Sequence, residues 1–153
     1  MEKKNLNVSY TVYSHRSELP EFWQKLLQQA EKILPQAYAP YSDFKVGTAL
    51  LLDNGEVVTG TNQENSAFPS GLCAERTALY YALSNYPDAR ILGLAITTSS
   101  SHTLCAPCGA CRQVLADAEL KRTGPFPILF PGGKGSWLLF ERIADMLPFG
   151  FSF

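Results

Sequence analysis

The sequence predicts an α/β protein in which a mixed sheet carries helices on its faces. Three observations point there. An Asp53-Asn54-Gly55 turn signal joins two apolar runs, as a tight hairpin requires. Ile91 to Thr98 is an apolar, β-branched run of the kind that makes a buried strand. Two helical segments rich in Ala and Leu then alternate with strands, the order expected of layered α/β folds.

The elements follow in order. Residues 1–17 are polar and mixed, but Val8, Tyr10 and Val12 alternate, so a short edge strand is expected there. From Pro20 to Leu34 the apolar residues Phe22, Leu26, Ala30 and Ile33 recur at helical spacing, bounded by Pro20 and Pro35. Tyr38 to Asp43 is a loop by its Pro, Ser and Asp content. Phe44–Leu52 and Glu56–Thr61 form the hairpin. Gly71–Leu83 is helical, Ile91–Thr98 a strand, and Gly109–Leu120 helical again. Pro127–Phe130 and Trp137–Phe140 are short strands, and Glu141–Leu147 a closing helical turn or two. Helices that follow strands present their N-termini at one sheet edge, where α/β proteins place their chemistry.

The composition narrows the function. Apolar residues make up 46% of the 153 and charged residues 18%, which is globular and suits one domain over 1–153, with 1–19 as an N-terminal extension. The net charge is −1, and no basic stripe follows the chain. That argues against a nucleic-acid partner and for a small-molecule substrate. No apolar run approaches the roughly 20 residues that cross a bilayer, and with no apolar run in the first residues a secretory leader is not expected. A cytoplasmic protein with no membrane partner is expected. There the four cysteines, Cys73, Cys105, Cys108 and Cys111, point to metal rather than disulfides.

Two segments carry the chemistry: Cys73-Ala74-Glu75-Arg76 and Pro107-Cys108-Gly109-Ala110-Cys111-Arg112-Gln113, each at a helix start. Cys108 and Cys111 share a helix face and can grip one ion, with Cys73 as the third thiolate. Thiolates at this count favour Zn²⁺. Three ligands leave a fourth position open, the mark of a catalytic zinc. Three thiolates on Zn²⁺ also leave a net charge of −1, which two helix N-termini and Arg76 can offset. Glu75, two residues past a ligand, suits a carboxylate that moves a water proton. The spacing also admits a different reading. Cys105, Cys108 and Cys111 are evenly spaced, and with Cys73 they could close a structural four-cysteine site in a non-catalytic zinc-binding module. Arg112 is open between structure and site. His15 and His102 have no ligand-like spacing and are expected to be exposed.

These residues resemble the small homotetrameric zinc-dependent cytidine deaminases. The likeness covers most of residues 20–150. It rests on Tyr38-Ala-Pro-Tyr-Ser-Asp-Phe-Lys-Val-Gly47, Asn62-Gln-Glu-Asn65, Leu72-Cys-Ala-Glu-Arg76, Pro107-Cys-Gly-Ala-Cys-Arg-Gln113 and Leu147-Pro-Phe149. The resemblance implies a three-layer α/β/α sandwich with a mixed, mostly five-stranded sheet. It implies one Zn²⁺ per subunit on Cys73, Cys108 and Cys111, with Glu75 as proton shuttle and Arg76 in support. Asn62 and Glu64 would hold the ribose hydroxyls, Phe44 would wall the pocket, and the Ala74 amide would meet the pyrimidine carbonyl. The implied reaction is hydrolysis of cytidine and deoxycytidine to uridine and deoxyuridine, by zinc-activated hydroxide attack at C4, with release of ammonia. Another aminopyrimidine nucleoside is the alternative substrate. Gln63 departs from the family's usual Val or Ile, and Gly132-Gly-Lys-Gly135 reads as an insertion-like loop. The apolar tail residues Phe149, Phe151 and Phe153 suit packing against a neighbouring subunit, as in the family's homotetramer with shared pockets.

Overall fold

A computed structural model describes residues 1–100 and 102–152. Its single sheet has six strands in the order β1-β6-β5-β4-β2-β3. They are β1 (Thr11–Tyr13), β2 (Val46–Leu52), β3 (Val57–Thr61), β4 (Ile91–Thr98), β5 (Ile128–Gly133) and β6 (Ser136–Phe140). The helices are α1 (Glu21–Ile33), α2 (Ala74–Asn85) and α3 (Gly109–Ala118). The α1 helix packs on one face through Trp23, Leu26, Leu27 and Ala30, against Ala49, Ala95, Leu129 and Leu139. On the other face, Ala78, Leu79 and Ala82 of α2 and Leu115 and Ala118 of α3 join Leu50, Leu94, Ile96 and Ile128. The result is the three-layer α/β/α sandwich expected.

The sheet exceeds the expected five strands by one. Thr11–Tyr13 pairs antiparallel with Trp137–Leu139, so the N-terminal segment closes what would otherwise be an open edge at β6. The strand sits slightly later than the Val8–Val12 alternation suggested: Val8 and Tyr10 precede it, Val12 lies in it, and all three are exposed. Tyr10 stacks on Phe140 at 5.1 Å between centroids. Arg16 reaches α1 by a bidentate ion pair with Glu31.

Strand direction places the site. Both β3 and β4 run antiparallel to β2, so they run parallel to each other and end at the same sheet edge. The helices that follow them, α2 and α3, therefore begin side by side at that edge. Close approach of α2 requires Gly60 on β3, where a Cβ would lie 2.5 Å from the Ala78 amide nitrogen and 2.7 Å from the Ala74 oxygen.

Other elements shift by a residue or two. The buried stripe of α1 starts at Trp23 rather than at Phe22, which is 37% exposed. Helix α2 starts at Ala74, later than Gly71, because Phe68–Ser70 takes its own 3-10 turn and Cys73 caps the helix in extended conformation. Beyond Ala118, α3 widens into a π turn over Glu119–Thr123. The Gly132–Gly135 segment is built into the sheet. It is the tip of the β5–β6 hairpin, with Gly133, Lys134 and Gly135 all at positive φ. The closing helix shrinks to a 3-10 turn, Ile143–Met146, docked on α3, where the Ala144 amide donates to Glu119 Oε2 at 2.9 Å.

This packing has two measurable consequences. Gly60→Ala forces backbone apart rather than a flexible side chain, so stability should fall by about 1–3 kcal/mol, measured by urea unfolding. The Glu119 side chain is 5% exposed, and burial raises its carboxyl pKa above the usual 4.5. A carboxyl with the higher pKa in the folded state makes that state bind more protons, so its contribution falls as pH rises from the unfolded value through the folded one. Glu119→Gln should flatten that decline in melting temperature above pH 4.5, and an unchanged slope would remove Glu119 as its source.

Candidate active site

Three thiols meet where α2 and α3 begin. Cys73 is the N-cap residue of α2, Cys108 that of α3, and Cys111 lies in the first turn of α3. Their sulfurs all lie within 4.8 Å of one another. Sγ of Cys108 is 3.8 Å from Cys73 Sγ and 3.5 Å from Cys111 Sγ. Thiolates bound to one tetrahedral Zn²⁺ at about 2.3 Å stand about 3.8 Å apart, so the donor set and its spacing fit zinc. Among the described residues this trio is the cluster able to hold a metal, and Cys105 is outside it. Cys105 packs against the core, and burial pushes its thiol up to about 12. A closed site of four cysteines is therefore not what the chain builds.

The local charge favours the thiolate at Cys73 and opposes it at Cys111. The Cys73 thiol is lowered to about 5, chiefly by its hydrogen bond with Cys111 and, against the cost of burial, by Arg76 and Cys108. Cys111 is pushed up by that same bond and by burial. Arg76 Nη2 donates to Cys73 Sγ at 3.5 Å, and that bond holds the guanidinium more firmly cationic. Arg76 Nε is buried without a hydrogen-bond partner. Glu75 is 5% exposed, and burial raises its carboxyl to about 7, with the Cys73 thiolate pushing the same way. A carboxyl near neutrality can both take and return a proton. Ala74, the first residue of α2, offers an amide that has no intrahelical carbonyl.

Beside Cys73 opens a cleft of about 240 Å³, whose wall includes Asn62, Glu64, Cys73 and Arg76. The cleft thus brings Asn62 and Glu64 beside Cys73 and Arg76, while Ala74, Glu75, Cys108 and Cys111 are not in its wall. Segment 62–64 bridges its two flanks. Tyr38 N donates to Asn62 O and Glu64 N to Tyr38 O on one side, while Gln63 and Leu72 exchange both main-chain bonds on the other. Leu72 immediately precedes Cys73, so the sugar-side residues are held in register with a metal ligand. The Gln63 side chain folds back to donate to Thr61 Oγ1, and the bridge needs only its main chain.

Glu64 accepts from the Tyr41 and Ser42 amides at 2.9 and 3.2 Å and from the Ser42 hydroxyl. That hydroxyl, then the Tyr41 amide, keep the carboxyl below its usual range, so it is ionised. Asn62 is committed to the main chain: Oδ1 accepts from the Val46 amide and Nδ2 donates to the Phe44 carbonyl, both at 2.9 Å. One Nδ2 proton remains for a ligand. Phe44 is half-buried and does not line the cleft; its link to it runs through Asn62 and through its own amide, which donates to Ser42 Oγ. Two aromatic residues that the sequence reading passed over do line it, Tyr41 and the 81%-exposed Phe68. Tyr41 stood inside a quoted motif; Phe68 carried no signal beyond its neighbouring Pro69. Arg112 faces Pro107 and Met146 rather than the cleft. His15 and His102 are exposed, as expected, and Phe153 lies outside the described residues.

Paired helix starts that bring three cysteine sulfurs together beside a buried carboxyl would hold one zinc ion through three protein ligands, the ligand count of hydrolytic zinc sites. Residues 20–124 match the family model described as the cytidine and deoxycytidylate deaminase zinc-binding region. The chain belongs to that family. A cytidine deaminase of Sporosarcina psychrophila is 38% identical over 129 residues, covering 84% of this chain and 90% of the relative. One of Mycobacterium tuberculosis is 44% identical over 135 residues, covering 84% and 89%. Among solved structures, the cytidine deaminase of Burkholderia pseudomallei superposes with a TM-score of 0.71 at 36% identity, covering 84% of this chain and 98% of that one.

The geometry makes the metal content testable. Purified protein should hold one zinc ion per chain, and Cys105→Ala should retain it. Cys108→Ser should lose most of it, as read by metal analysis after dialysis against a weak chelator. Loss of zinc in Cys105→Ala would restore the four-cysteine site.

Proposed function

We propose that this chain hydrolyses cytidine and deoxycytidine to uridine and deoxyuridine with release of ammonia. The observation that carries the proposal is the Glu75 carboxyl, buried and raised to about 7 beside three convergent thiols. Zinc, when bound to Cys73, Cys108 and Cys111, supplies a Lewis acid that lowers the pKa of water. The chain's own residues do the rest. Glu75 removes a proton from the attacking water and delivers it to N3, which makes C4 electrophilic. Oxygen joins C4. Glu75 then carries the remaining hydroxyl proton to the amino nitrogen, the C4–N4 bond breaks, and ammonia leaves with C4 as a carbonyl. The Ala74 amide holds the pyrimidine carbonyl, while Glu64 and the remaining Asn62 proton hold the sugar hydroxyls. Arg76 lessens the negative charge of the thiolates. A neutral sugar needs polar, uncharged-ligand recognition of this kind, and the net charge of −1 suits a small nucleoside.

We assign the assembly to a homotetramer in which neighbouring subunits complete each other's clefts. The exposed aromatic residues Phe68, Tyr80, Tyr81, Phe149 and Phe151 support that reading, because isolated monomers seldom expose so many. Among the described residues no helix is long and apolar enough to cross a membrane. A cytoplasmic site of action agrees with the four free cysteines.

The test is a spectrophotometric assay of both nucleosides with Glu75→Gln alongside. Native protein should turn over, and the variant should lose about 10²–10⁴-fold in kcat while retaining zinc. No turnover of either nucleoside by zinc-loaded native protein would refute the substrate assignment. Full activity in the variant would refute the role of Glu75.

A further inference from the structure

We infer that Arg112 is a positioning residue that locks the metal ligand Cys108 to the C-terminal 3-10 turn. Cys108 is the exposed member of the trio, while Cys111 is fully buried and Cys73 half-buried. As the N-cap residue it has extended backbone, φ −65° and ψ 167°, outside the helix that fixes Cys111. Its placement depends on what holds the peptide groups on either side of it. Residue 112 holds both. The Arg112 amide donates to the Cys108 carbonyl at 2.9 Å, as the helix requires. The Arg112 side chain turns back and Nε donates to the Pro107 carbonyl at 2.8 Å.

The other arm of the same guanidinium reaches out of α3. Nη1 donates to the Met146 carbonyl at 3.4 Å. Met146 ends the 3-10 turn that starts at Ile143, a residue with no exposure. Glu119 grips that turn from the far end of α3 through the Ala144 amide. The turn is thus anchored independently of Arg112, and it gives the guanidinium a fixed support from which to hold Pro107. A planar fork with several rigidly placed donors can satisfy two carbonyls at once, which an ammonium on a flexible stem does poorly. Arg112 touches neither cleft nor sulfur; it acts through Cys108.

The inference rests on the zinc site, not on the choice of nucleoside, so a failed cytidine assay leaves it standing. The test is zinc affinity, measured by competition with a chromophoric chelator on native protein, Arg112→Gln and Arg112→Lys. Circular dichroism verifies folding, and cobalt substitution reports the thiolate-to-metal charge-transfer band. Arg112→Gln should weaken zinc binding by about 10–100-fold, the usual cost of losing an outer-shell partner. Its cobalt band should weaken as Cys108 becomes a poorer ligand. Arg112→Lys, which keeps charge but not the fork, should also fall below native affinity, and it stands alone as the test if the Gln variant does not fold. Native zinc affinity with only a lowered melting temperature would make Arg112 merely structural and overturn the inference. Full rescue by Lys would overturn it too, by assigning the effect to charge.

Discussion

The structure depends on two helix N-termini meeting at one sheet edge. Three thiolates around one divalent ion leave an excess negative charge, and no such cluster persists in a folded interior without nearby positive potential. The aligned peptide dipoles of α2 and α3 provide it, each with its partial positive end at a cysteine in the cap position. The sheet makes this meeting possible, since β3 and β4 end at the same edge only because both are antiparallel to β2. Gly60 then allows α2 to lie close enough on β3 for its first turn to face that of α3.

The electrostatic balance is completed by two neighbours in sequence that act in opposite senses. Arg76, three residues beyond Cys73, returns one helical turn to its sulfur and favours the thiolate. Glu75 points into the protein, where burial and the thiolate both oppose its ionisation. A carboxylate fully exposed would titrate well below neutrality and be a weak base for water. One helical turn therefore places a cysteine of the trio, a cation on its sulfur and a buried carboxyl together, because successive residues on a helix point about 100° apart.

Much of this was legible in the sequence. The strand Ile91–Thr98 was read with both of its ends, since a buried β-branched run has sharp boundaries. The metal trio could be read because cysteine spacing at helix starts is a chemical pattern rather than a packing one. Other features depended on three-dimensional partners. The first strand is three residues long and exists through pairing with β6, so its own alternation located it imperfectly. The resemblance made Phe44 a pocket wall; the structure ties its main chain to Asn62 and Ser42, and main-chain contacts of that kind leave no mark on residue type. Phe68 gave no warning, because an exposed aromatic beside a cleft looks in sequence like any loop residue. Arg112 could have been either structural or functional from its place in the motif; its two carbonyl partners, 5 and 34 residues away, are visible only in three dimensions.

The side of the cleft that the proposal gives to the sugar is already bonded internally. Segment 62–64 is bonded to Tyr38 on one flank and to Leu72 on the other, and Glu64 already accepts three donors from the 41–42 loop. Ordering these groups during folding spares that entropic cost at binding. It also fixes distance. Because Leu72 adjoins Cys73, the register that sets Glu64 against Tyr41 sets it against the metal ligand as well. Under the proposed function, a nucleoside held through its sugar at Asn62 and Glu64 is placed in fixed register with Cys73. Positioning of this sort accounts for a large share of rate enhancement. Here it is encoded in main-chain bonds that join a loop, a short bridge and a helix cap.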